Sequence, residues 1–580
     1  MSTYNKTPYF SISGKANTGW DAIIEELENK IRKTDNDRFI LVVECYQGVD
    51  DAELIQGFKK LNPDTFISSE DAFKSEEEIL KLTYDDVTDD AIFGFITRLK
   101  FQDFLEDKKV KEFRNTIKKS TGLTIVYGHA SSIIAKEYDC LIYADMARWE
   151  IQQRQRNHEI NNLGLKNAQE SASIQYKRGY FVDWRVCDKL KQKLFDKADF
   201  WLDSNKKGQP KMISAATLRN GLSDLVQSPF RVVPYFDPGP WGGQWMKETL
   251  DLDKSKSNYA WSFDGVPEEN SLLLEISGEI IEIPSINLVF YKSKELLGEP
   301  VESRFGKEFP IRFDFLDTMS GGNLSLQVHP TTQYIRENFG MNYTQDESYY
   351  ILDAKPDATV LLGLKSGCNS KELINELKES QKTGTSFDAE KFVNVFPAKK
   401  HDHFLIPNGT IHCSGANSMV LEISATPYIF TFKLYDWGRM GLDGKPRAIN
   451  IERGKEVIDW NKDTAYCENN LVGQVEQIAQ GDGWREERTG LHKTQFIETR
   501  RHWFTKPVVH QTGESVNVLN LVHGKKIIVE SPTNSFKPFE VNYAETFIVP
   551  AFVKEYIIRP SDGNEDEECA TIKAYVRFKA

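Results

Sequence analysis

The sequence predicts a multidomain chain: an α/β region with a parallel sheet over residues 1–225, and an all-β region over 226–580. Two observations predict this division. In the first region short buried-strand segments alternate with helical ones, which is typical of parallel α/β sheets. From "SPFRVVPYFDPGPWGGQW" onward, proline and glycine become frequent and short strands follow one another closely. In addition, 580 residues are too many for a single hydrophobic core.

The elements of the first region are predicted from the period of their apolar residues. A period of 3.6 residues indicates helices, and short runs rich in Val, Ile and Tyr indicate buried strands. The predicted order is a helix over "TGWDAIIEELENKIRKT", a strand over "RFILVVECY", helices over "DDAELIQGFKKL", "EEEILKLTYDD" and "RLKFQDFLEDKKVKEFRNTIKK", strands over "GLTIVYGHA" and "DCLIYADM", and a polar helix within "DMARWEIQQRQRNHEINNLG".

The second region is predicted to form two β-barrels, one over about residues 280–455 and another over about 495–580. One helical insertion, "SKELINELKESQKTG", interrupts the first of them. The predicted strands are "SLLLEIS", "INLVFY", "LSLQVHP", "SYYILDA", "ATVLLGLK", "HFLIPNG", "MVLEISA" and "FTFKLYDW", followed near the end by "SVNVLNLVHGKKIIVES", "ETFIVPAF" and "EYIIRP".

Composition excludes several classes of partner. The formal net charge is −13 and no basic cluster stands out, which argues against nucleic acid and against an anionic membrane. No apolar run is long enough to cross a bilayer, and the start "MSTYNKTPYF" lacks the features of a signal peptide. The seven cysteines are dispersed without a CxxC pair, so we expect reduced thiols and a cytoplasmic protein.

Four residues of the second region suit a divalent metal. Gln327 and His329 lie two apart in a predicted strand, so their side chains leave the same face. Glu347 stands at the start of the next strand, and His412 ends a Pro-x-Gly-x-x-His turn. Two imidazoles, a carboxylate and an amide oxygen fit Zn²⁺ or another first-row metal, with a position left open for water or substrate.

A second histidine pair competes with this set. His401 and His403 form an H-x-H with good ligand spacing. The segment "KKHDHF" is polar and lies at a strand entrance, however, which favours a solvated edge. Residue chemistry alone does not choose between the two groups of histidines.

Several segments of the second region resemble class I mannose-6-phosphate isomerases. They are "PGPWGGQWMKE", "SLQVHP", "ESYYILDAKPDATVLLGLK", "VNVFPAKKHDHFLIPNGTIHCSGANSMVLEIS" and "LYDWGRMGLDGKPR", which occur in the family's order over roughly residues 230–580. The resemblance implies a cupin fold of two barrels that holds one Zn²⁺. It also implies a sugar-phosphate substrate. The family's four ligands correspond to Gln327, His329, Glu347 and His412.

The reaction implied by the resemblance is the interconversion of mannose 6-phosphate and fructose 6-phosphate through an enediol. Such a reaction needs a general base and a cation that stabilises the enediolate. Glu422 matches a family acidic residue near the metal, and it is either this base or an inward carboxylate held by hydrogen bonds. Lys433 stands where the family has a catalytic Arg. Gln345 and Ile429 replace the usual Lys and Asp, which puts the substrate and the rate in doubt.

The first region resembles a uridine-kinase-type P-loop fold. The loop after the first long strand, "CYQGVDDAEL", lacks the Gly-Lys-Ser/Thr that holds phosphates in such enzymes. Arg148, Arg154 and Arg156 match the arginine-bearing lid of those kinases, or they form a solvated helix face. This region is therefore predicted to be a non-catalytic relative of a kinase, with a regulatory or assembly role.

Three functions follow. The leading hypothesis is a zinc-dependent sugar-phosphate isomerase. The alternative is a non-catalytic or sensing cupin that binds a sugar or sugar phosphate, which the loss of the family's Lys and Arg favours. A bifunctional kinase–isomerase is disfavoured by the missing phosphate-binding loop. The oligomeric state does not follow from the sequence.

Overall fold

The computed structural model describes residues 3–34, 37–427, 429–441, 444, 447–563 and 567–578. The chain forms two compact units, and each is discontinuous in sequence. The first unit comprises Tyr9–Leu225 and Glu268–Tyr291, and the second comprises Met1–Pro8, Val226–Pro267 and Lys292–Ala580. The first is an α/β structure and the second is built on antiparallel sheets, so the predicted multidomain organisation is confirmed at this level.

The first unit is built on a seven-stranded sheet in which five adjacent strands, from Phe200–Asp203 to the edge strand Thr65–Ser68, are parallel. Arg38–Cys45 lies in the middle because its apolar run is buried on both faces, as parallel strands require. The strand order is Ala16–Thr18, Lys211–Ser214, Phe200–Asp203, Cys140–Asp145, Arg38–Cys45, Gly122–Gly128 and Thr65–Ser68.

Helices connect these strands. The predicted single helix over "RLKFQDFLEDKKVKEFRNTIKK" is two, because Leu105 is extended and interrupts it. The α-helices of this unit are Gly19–Arg32, Asp51–Phe58, Glu76–Val87, Phe101–Phe104, Asp107–Lys119, Ser131–Ile134, Arg148–Arg156, Ala172–Arg178, Trp184–Leu194, Ala215–Leu225 and Ile286–Tyr291.

One segment from the predicted β region belongs to this first unit. Strands Ser271–Ile276 and Glu279–Pro284 form a hairpin, and Tyr9–Ser11 pairs with it in parallel. The next segment, "INLVFY", is the helix Ile286–Tyr291, so the prediction of a strand there is wrong. A six-residue apolar run has no decisive period, and here Asn287 donates to the buried carboxylate of Asp145 at 2.7 Å.

Two antiparallel sheets form the first β-structure of the second unit. The six-stranded sheet has the order His403–Ile406, Glu347–Ala354, Ser418–Ala425, Ile311–Asp317, Trp261–Gly265 and Tyr235–Asp237. The five-stranded sheet has the order Val393–Pro397, Thr359–Leu364, His412–Ser414, Leu326–Val328 and Phe432–Tyr435.

Helices of the second unit lie in the connections between strands. The predicted helical insertion is Ser370–Thr383, which Asn369 caps at its start and Gly384 ends with φ of +74°. The other α-helices are Trp245–Thr249, Ser293–Leu297, Glu299–Phe305, Thr332–Phe339, Ile451–Val457 and Thr464–Asn470.

A second pair of sheets follows toward the C-terminus and encloses its own apolar core, which includes Leu519, Val529 and Phe547. The six-stranded sheet has the order Glu476–Gly481, Trp484–Arg488, Ile497–Phe504, Cys569–Val576, Asn517–His523 and Thr546–Val549. The four-stranded sheet has the order Val508–Gln511, Glu555–Pro560, Lys526–Glu530 and Phe539–Asn542.

Two general expectations about the chain are met by the structure. All seven cysteines lie within the described residues and are free thiols. No helix in the described part of the chain is both long and apolar enough to span a bilayer.

The second pair of sheets buries one lysine. Lys573 is 6% exposed, on the strand Cys569–Val576. Burial lowers the pKa of Lys573 from 10.5 to about 8, although the nearby Glu486 carboxylate acts in the opposite direction. The unfolded chain therefore binds this proton more tightly than the folded chain does, so the free energy of unfolding rises as pH increases from about 8 to 10.5.

We predict that Lys573→Met removes this pH dependence. A shift of this size lowers the free energy of unfolding at neutral pH by roughly 3 kcal/mol. The wild-type protein regains this stability only at high pH, where Lys573 is neutral. Urea unfolding of both proteins at pH 7 and pH 10 measures the difference. We expect the stability of Lys573→Met relative to wild type to fall by about 2–3 kcal/mol between the two pH values.

The matched control is Lys525→Met, because the Lys525 side chain is 76% exposed. Its stability relative to wild type should be the same at both pH values. A Lys573→Met difference that does not change with pH would contradict the prediction.

Candidate metal centre

The two strand segments that carry Gln327 and His412 are direct neighbours. Leu326–Val328 pairs antiparallel with His412–Ser414, and Gln327 lies opposite His412 in the register. The Pro-x-Gly-x-x-His turn has the predicted role, since Gly409 adopts a φ of +76° and the chain reverses there. Gln327 Nε2 lies 3.1 Å from His412 Nε2.

Glu347 lies between the two imidazoles. Its Oε1 is 2.9 Å from His412 Nε2, and its Oε2 is 3.1 Å from His329 Nε2. The side chains of all three residues are at most 1% exposed. Burial alone would raise the pKa of Glu347, but positive charge on the two facing imidazoles lowers it well below its ordinary value.

Backbone carbonyls orient both imidazoles. His412 Nδ1 lies 2.9 Å from the carbonyl of Thr410, and His329 Nδ1 lies 3.3 Å from the carbonyl of Phe430. A carbonyl only accepts, so each Nδ1 carries the hydrogen and donates it. In the neutral rings, the lone pair is then on Nε2, the atom that faces Glu347.

This arrangement fits a metal cation. Glu347 Oε1 and His329 Nε2 are buried and make no hydrogen bond within the described residues. Two lone pairs and a buried carboxylate that converge on one point need a positive charge between them. Among the described residues, His329, Glu347 and His412 form the only cluster of three or more His, Cys, Asp or Glu with metal-binding spacing.

The competing histidine pair lies elsewhere in this unit. His403 is 1% exposed, so the predicted solvated edge is wrong for it. His401 Nδ1 is 2.8 Å from the hydroxyl of Tyr350, and the His403 ring packs against the same tyrosine. Burial, assisted by the charge of Arg501, lowers the pKa of His403 to about 3. His401 and His403 therefore lie beside Tyr350 and outside the cluster of His329, Glu347 and His412.

A cavity of about 240 Å³ adjoins the cluster. Gln327 lies in its wall together with Lys433 and Glu422, the two predicted catalytic residues. Gln345 also lines the cavity. Ile429 is not among the described residues that line it. The remaining wall is formed by Trp241, Trp261, Phe263, Arg312, Asp314, Leu316, Leu324, Ser325, Thr431 and Arg447.

Glu422 is held by three donors on one oxygen. Its Oε1 accepts from Ser424 Oγ at 3.0 Å, from Gln345 Nε2 at 3.3 Å, and from the guanidinium of Arg312. Burial, with the charges of Asp314 and Glu347, raises the pKa of Glu422 well above its ordinary value, against the effect of Arg312. Both interpretations of Glu422 made from the sequence are compatible with these contacts.

Lys433 stands opposite Gln327 in the strand register. Burial, with a contribution from the Arg447 charge, lowers the pKa of Lys433 to about 8. Asp436 opposes this effect, and its carboxylate also pairs with Arg447 at 2.6 Å. At neutral pH Lys433 therefore brings a cation to the cavity wall.

Sequence reasoning missed Arg312, Asp314 and Arg447. Arg312 and Asp314 alternate with Phe313 and Phe315 on a fully buried strand, Ile311–Asp317. Two charges two residues apart on one face of a buried strand are unusual, and this signal was present in the sequence. Arg447 is the last residue of the segment "LYDWGRMGLDGKPR", but no local pattern in that segment predicts its place in the cavity wall.

Comparisons with known proteins find similarity to mannose-6-phosphate isomerases, the family that the quoted sequence segments resemble. The chain is 27% identical over 232 residues to the probable mannose-6-phosphate isomerase GmuF of Bacillus subtilis, covering 40% of this chain and 68% of that protein. It is 27% identical over 224 residues to the mannose-6-phosphate isomerase of Streptococcus mutans, covering 38% of this chain and 65% of that protein. The match therefore spans about two thirds of each relative.

Two further similarities concern the fold and the first unit. The crystal structure of the mannose 6-phosphate isomerase from Bacillus subtilis aligns with a TM-score of 0.48 and 18% identity, over 60% of this chain and 100% of that one. Residues 19–227 match a family model described as a domain of unknown function, DUF8485.

We predict that the purified chain binds one equivalent of a divalent metal at this cluster. Elemental analysis of His412→Ala should show less than about a tenth of the wild-type metal content, because the substitution removes one imidazole ligand. Adding zinc to the growth medium should not raise the metal content of this variant to the wild-type level.

His403→Ala is the control, since it removes an equally buried histidine outside the cluster. We expect wild-type metal content in this variant. Metal loss in His403→Ala with retention in His412→Ala would show that the cluster is not the metal centre.

Proposed function

We propose that this protein is a zinc-dependent aldose–ketose isomerase that interconverts mannose 6-phosphate and fructose 6-phosphate. The observation that carries the proposal is the cluster of Gln327, His329, Glu347 and His412 beside a cavity lined by cations. The similarity to mannose-6-phosphate isomerases supports the choice of substrate. We infer a cupin-type architecture for the two pairs of sheets from the same motifs.

The donor set suits zinc. Two imidazoles and a carboxylate are ligands that Zn²⁺ takes in catalytic sites, and Gln327 supplies an amide. When bound, such an ion polarises sugar oxygens and so acidifies the neighbouring C–H bond. His329, Glu347 and His412 would hold it, while the Thr410 and Phe430 carbonyls keep both rings in the required tautomer.

Other residues of the cavity wall would transfer the proton and stabilise the negative charge of the enediolate. Isomerisation removes a proton from C2 of the open-chain aldose and returns it to C1, which generates an enediolate in between. We assign the proton transfer to Glu422, whose raised pKa suits a group that both accepts and releases a proton. We assign stabilisation of the enediolate to Lys433, with Arg312 fixing the orientation of Glu422.

The contacts of Glu422 are also compatible with a different function. The Glu422 oxygen that contacts Arg312 also accepts from Ser424 and Gln345, which suits a structural carboxylate as well as a base. The alternative is therefore a non-catalytic or sensing cupin that binds a sugar or sugar phosphate in the same cavity. In that case the metal and the cations contribute to affinity only.

An isomerase assay tests the proposal. Purified protein is incubated with mannose 6-phosphate, and formation of fructose 6-phosphate is followed by a coupled reaction. We expect turnover that a chelator abolishes and that added Zn²⁺ restores. Binding of mannose 6-phosphate without turnover in the zinc-loaded protein would support the sensing cupin instead.

We predict that Lys433→Met loses turnover by roughly 10²–10³-fold, because one preorganised charge is removed from the transition state. Metal content should stay at the wild-type level, since Lys433 is not a ligand. The steady-state kcat of metal-verified samples measures the effect.

Lys433→Arg is the matched variant, because it keeps the charge and adds the planar guanidinium of the family's residue. We expect it to keep or raise kcat where the cavity accommodates the larger group. Near wild-type turnover in Lys433→Met would exclude Lys433 from the role assigned to it.

For the first unit we propose a degenerate relative of P-loop kinases. The five parallel strands, numbered along the chain, lie in the order second, third, first, fourth and fifth. Where a P-loop would follow the first of them, Gly48 is followed by Val49, Asp50 and Asp51. Of the helix arginines, Arg148 and Arg154 are buried and hydrogen-bonded, so the solvated-face interpretation applies only to Arg156.

We predict that the chain does not bind ATP with magnesium and does not hydrolyse it. The carboxylate of Asp50 occupies the amide end of the helix Asp51–Phe58, where a phosphate would otherwise bind. Titration calorimetry with magnesium and ATP, with release of phosphate as a second readout, measures this. Tight magnesium-dependent binding would contradict it.

A further inference from the structure

The first unit contains a cavity of about 700 Å³ at the carboxyl ends of its parallel strands. The segments that follow three of these strands line it. Gly48–Ala52 follows Arg38–Cys45, Glu70 follows Thr65–Ser68, and His129 follows Gly122–Gly128. The next two parallel strands after Arg38–Cys45 lie on one side of it in the sheet order, and the later two lie on its other side. A crevice at such a reversal is the usual ligand site of an open α/β sheet.

The cavity is not built for a phosphate. Asp50 caps the helix Asp51–Phe58, accepting from the backbone N–H of Glu53 at 3.1 Å. It also pairs with Lys207 at 2.7 Å, so that this lysine is already engaged. An anion at this helix end would meet the Asp50 and Asp51 carboxylates in place of free amides.

A carboxylate–imidazole pair lies in the cavity wall. His129 Nδ1 is 2.5 Å from Glu70 Oε1, which fixes the ring. His129 is only 9% exposed, and its Nε2 makes no hydrogen bond within the described residues. Burial opposes protonation, but the Glu70 carboxylate and Asp51 raise the pKa of His129 to about 9. Nε2 therefore carries a hydrogen without an acceptor.

Asp51 presents the complementary group. It lines the same cavity, and its Oδ1 is buried with no hydrogen-bond partner in the described part of the chain. Asp51 also interacts electrostatically with both Glu70 and His129. One unpartnered donor and one unpartnered acceptor thus share a polar cavity. A hydroxyl satisfies both, since it accepts from an N–H and donates to a carboxylate.

We propose that this cavity binds a neutral polyhydroxylated small molecule of the monosaccharide class, with one hydroxyl between His129 and Asp51. Several hydroxyls match a wall that mixes acidic and basic side chains, among them Lys74 and Glu159. The ring of Phe73 adds an apolar surface for the C–H groups of a sugar. Leaving these buried polar atoms unpaired is costly, which favours an occupant that pairs them.

Titration calorimetry on the full chain tests the proposal, with D-mannose, D-glucose, D-fructose and D-ribose as probes. We expect at least one to bind, and we expect His129→Gln and Asp51→Asn each to weaken that binding by about tenfold or more. His158→Gln and Asp107→Asn are matched controls. His158 is exposed, and Asp107 is an exposed aspartate at the first position of another helix. Both should bind as wild type does.

The metal centre must be separated from this site. His412→Ala should retain the binding, because the cavity lies wholly within Tyr9–Leu225. As a second readout, the sugar should slow amide hydrogen exchange in the segment Asp51–Phe58 of the wild-type protein, which does not depend on any variant folding.

Four results would overturn the proposal, and the first three concern the sugars. They are absence of binding by all four sugars, binding that His129→Gln and Asp51→Asn leave unchanged, and binding that His412→Ala abolishes. Binding of inorganic phosphate or ATP that depends on His129 would also overturn it, because it would assign an anionic ligand to the cavity.

Discussion

The buried carboxylate of Glu347 is the constraint on which the candidate centre depends. It lies at 2.9 and 3.1 Å from the Nε2 atoms of His412 and His329, with no exposed surface. A desolvated carboxylate that faces imidazole lone pairs is unfavourable without a cation. Strands from both facing sheets converge to build this arrangement, so folding assembles it from segments more than 80 residues apart in sequence.

A second layer of charge surrounds this carboxylate. Arg312 pairs with Glu422 and lies 3.2 Å from Asp314, while Lys433 lies on the neighbouring sheet beside Arg447 and Asp436. The family's lysine position is Gln345 here, which donates at 2.8 Å to Glu347. The cavity wall thus carries positive charge from Lys433, which the resemblance implied, and from Arg312 and Arg447, which it did not.

Local signals in the sequence predicted that His329, Glu347 and His412 lie close together, but they did not predict the residues that surround them. The Pro-x-Gly-x-x-His turn and the alternation around Gln327 are short-range patterns, and both have the predicted geometry. The burial of His403 and the pairing of Arg312 with Glu422 arise from long-range strand contacts, which no window of sequence contains. The segment "INLVFY" was misassigned because its helix is decided by packing around Asn287 rather than by propensity.

X-ray absorption at the zinc edge of the purified chain tests the central claim most directly. The account predicts bound zinc with nitrogen and oxygen neighbours at about 2.0–2.2 Å and the outer-shell signal of two imidazoles. It predicts no sulfur at about 2.3 Å, although Cys413 adjoins His412 in sequence. A thiolate shell, an all-oxygen shell without imidazole, or a chain that takes up no zinc would contradict the account.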